Sequence, residues 1–296
     1  MPRIAHIAFK VSEIKPVSAF FEQVFGFERT VTVIHPRSNF KKSGSGGGHV
    51  SHHLSDGFTD LTLVRYDDES AVEPGSSNQT GPYIHHFGIE SEDLPGAVQR
   101  IAGAGGQILS EAGLPTVKFR APGGTMSEVV ASNWFSRDGL IASAVRRQRV
   151  YEEAPGAAVG PADGVRPRIS HLAIKVDDVA AAVKFYESAF GFNKFSSYAE
   201  RDHRSTHLTD GALDLAIIRF DDQTTAAAKA AGSGPCIHHI GIDVAADEID
   251  VYREKIRAHG CEFISDPGAT TVKFRAPGGG GLAEIAPFGW HFRTKH

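Results

Sequence analysis

The sequence predicts an α+β fold assembled from four βαβββ modules that pair into two domains. Three observations carry this prediction. The nonapeptide TVKFRAPGG occurs at residues 116–124 and again at residues 271–279. The segments around it recur in the same order in both halves of the chain. Within each half, a strand that contains a histidine and leads into a helical stretch occurs twice, so each half divides into two modules.

The duplication extends over the whole chain. RIAHIAFKV at residues 3–11 matches RISHLAIKV at residues 168–176. The other matched pairs are SHHLSDGFTDLTLVRYDD with STHLTDGALDLAIIRFDD, and GPYIHHFGIE with GPCIHHIGID. Residues 152–168 are rich in Ala, Gly and Pro and have no apolar period, which is typical of a linker. We therefore predict domains at residues 1–137 (modules 1–70 and 81–137) and 168–296 (modules 168–222 and 234–296), joined by a linker at 138–167.

The elements of each module follow in a fixed order. The first strand, RIAHIAFKV, leads into SEIKPVSAFFEQVFGF, whose apolar residues recur at helical spacing until Gly26, a natural helix stop. Short apolar runs separated by Gly, Pro and Asp then predict about three strands. The second module repeats this order from HFGIES, through a helix that ends at Gly105 and Gly106. Residues 35–50 are too rich in Gly and Ser for a core strand, and we predict a mobile lid there.

Composition narrows the function classes. The chain has 296 residues, 41% of them hydrophobic, with a formal charge of −4 that argues against a general nucleic-acid binder. No stretch approaches the ~20 apolar residues of a membrane span, and the N-terminus lacks the features of a signal peptide. The chain has two cysteines, Cys236 and Cys261, too few for a disulfide framework. We expect a cytoplasmic protein with a small-molecule substrate and no membrane partner, and the sequence leaves a homodimer open.

Residues with metal-binding chemistry stand at repeated positions in both halves. The first set is His6, His86 and Glu128, and the second is His171, His239 and Glu284. Two imidazoles and one carboxylate can bind a divalent transition metal on one face and leave the other positions open. Both sets persist although neighbouring residues have changed, as from Ala5 to Ser170. Since a single strand histidine is usually structural, it is the coincidence of three matched positions that favours a metal site.

The paired histidines need a choice between neighbours. Adjacent residues on a strand point to opposite faces, so both cannot enter one site. His86 shares the His–apolar–small–apolar register of His6, and His239 shares that of His171. We therefore predict His86 and His239 as ligands, with His85 and His238 behind the site or at the surface.

The chain resembles the vicinal oxygen chelate superfamily, which includes glyoxalase I, methylmalonyl-CoA epimerase, extradiol dioxygenases and bleomycin-resistance proteins. The resemblance rests on IHHFGIESEDL with FRAPGGTMSEVV, and on IHHIGIDV with FRAPGGGGLAEIA. Ala121 and Ala276 replace an acidic residue that the family usually has. The resemblance implies two half-barrel, glyoxalase-like domains, each holding one divalent ion through His, His and Glu. The basic residues of the repeated phrase either face an anionic substrate or lie exposed: Lys118, Arg120, Lys273 and Arg275.

Members of the superfamily differ in chemistry. The leading interpretation is a glyoxalase-like lyase or isomerase that acts on a small oxygen-chelating substrate through a metal-stabilised enolate. Such enzymes use a further ligand or base on the last strand of the first module, and Asp60 and Asp214 match that position. Two complete ligand sets favour this interpretation. The ion would be Zn²⁺, Ni²⁺, Co²⁺ or Mn²⁺, and ligand type alone does not choose among them.

Two alternatives remain open. One is an extradiol dioxygenase that uses Fe²⁺ to cleave a catechol-type ring, although Lys118 and Lys273 stand where that family has tyrosine. His53 and His207 are then candidate acid–base residues or, equally, surface turn residues. The other alternative is a non-catalytic drug-binding protein. Such resistance proteins generally lack the ligand set, so the six retained residues count against it.

Overall fold

The computed structural model describes residues 1–35, 48–68, 75, 81–154, 166–199, 202–265, 268–279 and 281–292. It confirms the α+β fold class and the repeated strand–helix–strand modules. Most of the predicted lid, residues 36–47, lies outside the described part of the chain, as does the stretch 155–165 of the predicted linker.

The first half forms one nine-stranded sheet. Its first module comprises β1 (Arg3–Lys10), α1 (Ile14–Phe25), β2 (Glu28–His35), β3 (His49–Ser55) and β4 (Asp60–Tyr66). Its second module comprises β5 (Tyr83–Ser91), α2 (Leu94–Gly103), β6 (Gln107–Ile108), β7 (Thr116–Arg120) and β8 (Met126–Ala131), followed by α3 (Arg137–Arg146) and β9 (Val150–Glu153). The strand order is β6-β7-β8-β5-β1-β4-β3-β2-β9. The first strands of the two modules, β1 and β5, are therefore neighbours near the middle of the sheet.

The second half repeats this arrangement in a sheet of eight strands. Its third module comprises β10 (Arg168–Lys175), α4 (Val179–Phe190), β11 (Asn193–Ala199), β12 (His203–Thr209), β13 (Asp214–Phe220) and the short α5 (Ala226–Lys229). The fourth comprises β14 (Cys236–Val244), α6 (Ile249–Ala258), β15 (Glu262–Phe263), β16 (Val272–Arg275) and β17 (Leu282–Pro287). The order is β11-β12-β13-β10-β14-β17-β16-β15. Two modules thus share one sheet in each half.

The central strands divide their side chains between two environments. On β1, Ile7 and Phe9 are fully buried in the main apolar core together with residues of α1. The alternate residues His6 and Lys10 lie on the other face, since successive side chains of a strand point to opposite sides. The helix ends as the sequence predicts, at Gly26 in the left-handed conformation (φ 69°). One face of the sheet therefore builds the core, and the other is left for polar side chains.

The two halves share one core. Helix α1 packs against the fourth module, with ring centroids 5.8 Å apart between Phe20 and Phe274 and 5.7 Å apart between Phe25 and Tyr252. Helix α4 packs reciprocally against the second module, where Phe119 and Phe185 are 5.9 Å apart. Aromatic burial of this kind supplies large apolar area to an interface. The halves are therefore packed as one unit.

Two reciprocal hydrogen bonds join the halves. The backbone N–H of Ile169 donates to Asp56 Oδ2 at 2.6 Å, and that of Ile4 donates to Asp210 Oδ2, also at 2.6 Å. Burial raises the pKa of Asp56, although backbone N–H groups that donate to its carboxylate oppose the shift. The equivalent aspartates thus hold equivalent strands across an approximate two-fold relation.

The first part of the predicted linker is ordered. Most of α3 and all of β9 lie within residues 138–153, and β9 pairs antiparallel with β2. Leu140 and Ala144 of α3 pack with Trp134 in a second apolar cluster. This segment therefore extends the first sheet and packs on an apolar cluster that includes Val31 and Val33 of β2. No helix in the described ranges combines the length and apolar character that crossing a bilayer requires.

Candidate metal centre

The three predicted ligands of the first half converge, and we call His6, His86 and Glu128 the first centre. His6 Nε2 lies 3.7 Å from Glu128 Oε1, and His86 Nε2 lies 3.4 Å from the same oxygen. One ligand atom from each residue lies within 4.8 Å of the other two, and all three residues are buried. Two nitrogens and a carboxylate oxygen at this spacing can bind one transition-metal ion.

Strand register explains the convergence. His6 on β1 is the cross-strand partner of Gly88 on β5, and Gly88 is the partner of Glu128 on β8. Gly88 leaves the space between the two ligands open, since a Cβ there would lie 3.0 Å from the Cβ of His6. A larger residue at this position would push the ligands apart.

The second half repeats the register, and we call His171, His239 and Glu284 the second centre. Gly241 pairs with both His171 and Glu284, in the same way as Gly88 in the first half. The rings of His171 and His239 are 5.1 Å apart at 44°, against 5.2 Å and 47° for His6 and His86. His239 Nε2 lies 3.9 Å from Glu284 Oε2. The imidazole arrangement is thus almost the same in both halves.

Asp60 lies behind His6 instead of beside its metal-facing nitrogen. His6 Nδ1 donates to Asp60 Oδ2 at 2.6 Å, which leaves the Nε2 lone pair directed toward Glu128. His53 Nδ1 at 3.1 Å and the Thr62 hydroxyl at 2.7 Å also contact this carboxylate. Asp60 therefore contacts the predicted ligand His6 on the side away from Glu128.

Asp214 contacts two histidines in the same way in the second half, although Ala216 replaces Thr62 there. His171 Nδ1 lies 2.6 Å and His207 Nδ1 lies 2.9 Å from Asp214 Oδ2. A carboxylate that accepts the outer N–H of a ligating histidine fixes the tautomer and the ring orientation of that ligand. His53 and His207, which the sequence left open as surface residues, are buried or partly buried partners of these carboxylates.

The neighbouring histidines contact each other, which corrects the expectation that His85 and His86 point to opposite faces. Their Nδ1 atoms are 2.8 Å apart. The pairing of β1 with β5 shifts register here, from Ala8 opposite His86 to Phe9 opposite Ile84, so His85 sits at a bulge. A bulge re-aims the side chains of a strand. His85 is therefore buried against His86, the predicted ligand.

The equivalent pair in the second half has a defined proton order. The Nε2–H of His238 donates to the Ala227 carbonyl at 3.0 Å, so Nδ1 of the neutral ring is an acceptor. His239 Nδ1, 2.8 Å away, therefore carries a proton and donates it to Nδ1 of His238. This leaves the lone pair of His239 Nε2 directed toward Glu284.

Burial and neighbouring charges shift the pKa of several groups at the two centres. Burial lowers the pKa of His6 against the opposing effect of Asp60, and burial holds the pKa of His239 well below its ordinary value. Burial also lowers the pKa of His238, to about 3. For Glu128 burial raises the pKa, but His86, His6 and Lys118 outweigh it and keep the carboxyl ionised. A neutral imidazole and an ionised carboxylate are the forms in which these side chains bind a divalent ion.

A cavity of about 290 Å³ adjoins the second centre. His171, His239 and Glu284 line it together with His207, Lys273 and His291. Lys273 Nζ lies 3.3 Å from Glu284 Oε2, so this lysine faces the site. The arginines of the repeated phrase bind loop carbonyls instead, Arg120 that of Gly124 at 2.6 Å and Arg275 that of Ala230 at 2.9 Å.

An aromatic position beside each centre escaped the sequence reasoning. Phe135 stacks on His6 with centroids 4.2 Å apart and planes at 4°. His291 stacks on His171 at 4.0 Å and 12°. Each follows its ligand glutamate by seven residues, directly after a tryptophan. The signal that could have identified it is a histidine in one copy at the position of a phenylalanine in the other.

Comparisons with known proteins identify the family and the fold of the chain. The model of the Glyoxalase/Bleomycin resistance protein/Dioxygenase superfamily matches residues 3–126 and 168–277, which confirms the resemblance noted in the sequence. A search of curated proteins finds no significant match.

Several solved structures are similar over nearly the whole chain. A triple mutant of 4-hydroxymandelate synthase from Streptomyces coelicolor has a TM-score of 0.68 at 18% identity and covers 96% of this chain and 91% of its own. The 2,3-dioxygenase LapB from Pseudomonas sp. KL28 has a TM-score of 0.57 at 14% identity, covering 97% and 92%. BphC, a halotolerant catechol dioxygenase, has a TM-score of 0.55 at 14% identity, covering 99% and 90%. At these identities the similarity establishes the fold.

Proposed function

Since the chain belongs to the Glyoxalase/Bleomycin resistance protein/Dioxygenase superfamily, we propose that it is a divalent-metal-dependent enzyme whose small substrate binds through two neighbouring oxygen atoms. The observation that carries this proposal is the convergence of two imidazoles and one carboxylate in the first centre. The same residue types recur in the second centre, beside a cavity large enough for a small molecule.

Oxidation of a catechol-type substrate by dioxygen, with Fe²⁺, is the reaction that the geometry supports best. The lyase interpretation relied on a further ligand or base at Asp60 or Asp214, and the hydrogen bonds of both carboxylates to histidine Nδ1 atoms argue against that role. Two histidines and one carboxylate with open positions are typical of non-haem Fe²⁺ oxygenases. The fold shared with two dioxygenases supports the same choice.

The chain's own residues would each have a defined part. His171, His239 and Glu284 would hold the ion, which when bound polarises the substrate oxygens and supplies the redox chemistry. Asp214 keeps His171 in the ligating tautomer. Lys273, on the cavity wall, would pair with an anionic oxygen of the substrate. The apolar part of the cavity wall, including Ile218 and Phe220, would exclude water from the bound ring.

A lyase or isomerase remains the second candidate, because both halves keep a complete set of ligand-type residues. The two candidates differ in their need for oxygen. Protein is loaded with Fe²⁺ under anaerobic conditions and then mixed with a panel of catechols in buffer that contains oxygen. It should consume oxygen, and protein loaded with Zn²⁺ should not. E128Q and E284Q, which keep the side-chain shape but remove the charged donor, would assign the activity to one half.

The alternatives predict different results in the same experiment. Conversion of substrate without oxygen uptake, with Zn²⁺, Ni²⁺, Co²⁺ or Mn²⁺, would favour the lyase or isomerase over the dioxygenase. Protein that takes up no ion from any of these salts would contradict both enzymes and favour the non-catalytic binding protein.

A further inference from the structure

The two centres carry different rings at one equivalent position. Phe135 and His291 occupy equivalent places after β8 and β17, and each ring stacks on the histidine of the first strand. Both rings are buried, at 9% and 8% exposure. The difference between them is chemical, since imidazole carries nitrogen atoms that can bind a metal and a phenyl ring carries none.

The position is built to hold a ring over the centre. In the first half the backbone N–H of Phe135 donates to the buried Glu90 at 3.0 Å. In the second half the backbone N–H of Gly289, in the same turn as His291, donates to the equivalent Asp243 at 3.2 Å. A Cβ at Gly88 would lie 2.8 Å from the Phe135 ring, and one at Gly241 would lie 2.8 Å from His291 Nε2. Both rings therefore sit directly over a glycine.

The two glutamates contact their neighbouring histidines differently. In the first centre, both histidines face the same oxygen of Glu128. In the second centre, the two oxygens of Glu284 divide, with His239 Nε2 at 3.9 Å from Oε2 and His291 Nε2 at 3.8 Å from Oε1. A nitrogen of His291 also lies within 4.8 Å of one nitrogen of His171 and of one carboxylate oxygen of Asp214, the residue behind His171. His291 thus brings a third imidazole to the second centre.

We propose that His291 is an additional metal ligand, so that the second centre binds its ion through three imidazoles and one carboxylate while the first uses two imidazoles and one carboxylate. This inference rests on the proposed metal site. An additional nitrogen donor makes the second centre the tighter of the two and shifts its preference toward the metals that imidazole favours, such as Zn²⁺, Cu²⁺ and Ni²⁺.

Cobalt binding tests this directly, because the visible spectrum of Co²⁺ depends on the number and type of its ligands. The second centre is measured alone in an H86A background, which disables the first. Two variants separate the nitrogen from the ring: H291F keeps the stacked ring, as Phe135 does in the first half, and H291L removes it. As a matched control, H291F in an H239A background leaves the first centre to be measured.

The expected result is that H291F and H291L both weaken Co²⁺ binding at the second centre by about tenfold or more, and both change its spectrum. The first centre should be unaffected by H291F. Equal affinity and an unchanged spectrum in H291F, with or without a loss in H291L, would overturn the proposal and leave His291 a packing residue. Absence of Co²⁺ binding in both backgrounds and in the unmodified chain would overturn the metal sites themselves, which distinguishes the two failures.

Discussion

Replacing Asp60 with asparagine should weaken metal binding in the first half by about 10- to 100-fold. Asparagine keeps the shape of the side chain but loses the charge that His6 Nδ1 contacts at 2.6 Å. Its amide can also present N–H groups to the ring, which favours the tautomer with the proton on Nε2, the nitrogen that faces Glu128.

The magnitude follows from the hydrogen bond that is lost. A hydrogen bond to a charged group contributes about 1.5–3 kcal/mol, and each ~1.4 kcal/mol corresponds to a tenfold change in affinity. Losing the bond between Asp60 and His6 therefore accounts for the whole predicted range. The weaker contact with His53, at 3.1 Å, adds little to this estimate because His53 is not itself a predicted ligand.

Competition for Co²⁺ between the apo-protein and a chromogenic chelator measures this effect. The H239A background confines binding to the first half, and D60N is compared with D67N, the same change at an exposed aspartate just after β4. D67N should bind as the background does. If D60N also stays within about twofold of the background, well below the effect typical of such partners, Asp60 does not orient a ligand and the argument from the hydrogen bonds is wrong.

Three further predictions follow from other parts of the structure. D56N should lower the free energy of unfolding, measured by urea denaturation, by about 1.5–3 kcal/mol, because the Ile169 N–H loses its charged acceptor. An unchanged free energy of unfolding would mean that this hydrogen bond between the halves contributes nothing to stability. Burial lowers the pKa of His52 from 6.5 to about 4. As the pH falls from 6.5 to 4, the unfolded chain therefore binds a proton that the folded chain does not, and the free energy of unfolding should decrease. H52Q should show a weaker decrease over this range, and a pH profile identical to that of the unmodified chain would contradict the shift. Zn²⁺ at 100 times its Kd should stabilise the folded protein by about 2.7 kcal/mol and so raise its Tm. A chelator should reverse the rise in Tm, and an unchanged Tm would argue against a metal site in the folded state.

The repeats made most of the fold predictable from the sequence. Each module carries its own strand and helix signals, and the second copy shows which signals matter. The convergence of His6, His86 and Glu128 was predictable for a related reason. His6, Gly88 and Glu128 lie at matched positions on adjacent strands, and the same spacing in the second half marks the register.

Features without a repeated signal were not predictable. Helix α3 and strand β9 belong to a segment that the second half does not repeat, and α3 has only a weak apolar face, with Leu140 and Ala144 as its buried apolar residues. Their order comes from the pairing of β9 with β2 and from packing on Trp134. Long-range contacts of this kind leave little trace in the local sequence.

The details of the site depend on geometry that spacing does not show. The bulge at His85 lies where β5 pairs with β1, and no glycine or other turn residue at that point of the sequence indicates it. The sequence left open whether Asp60 is a further ligand or a base. Register decides this, because Asp60 is the cross-strand partner of His6 and meets its Nδ1 atom.

Metal content after reconstitution tests the central claim most directly. The unmodified chain, E128A, E284A and the double variant are each loaded with Co²⁺, freed of unbound ion and analysed for cobalt and protein. Convergence of imidazole and carboxylate groups in each half predicts one ion per half, so each single variant should lose the ion of its own half and the double variant should hold neither. Cobalt content that is the same in all four proteins would show that these glutamates bind no metal and would contradict the account.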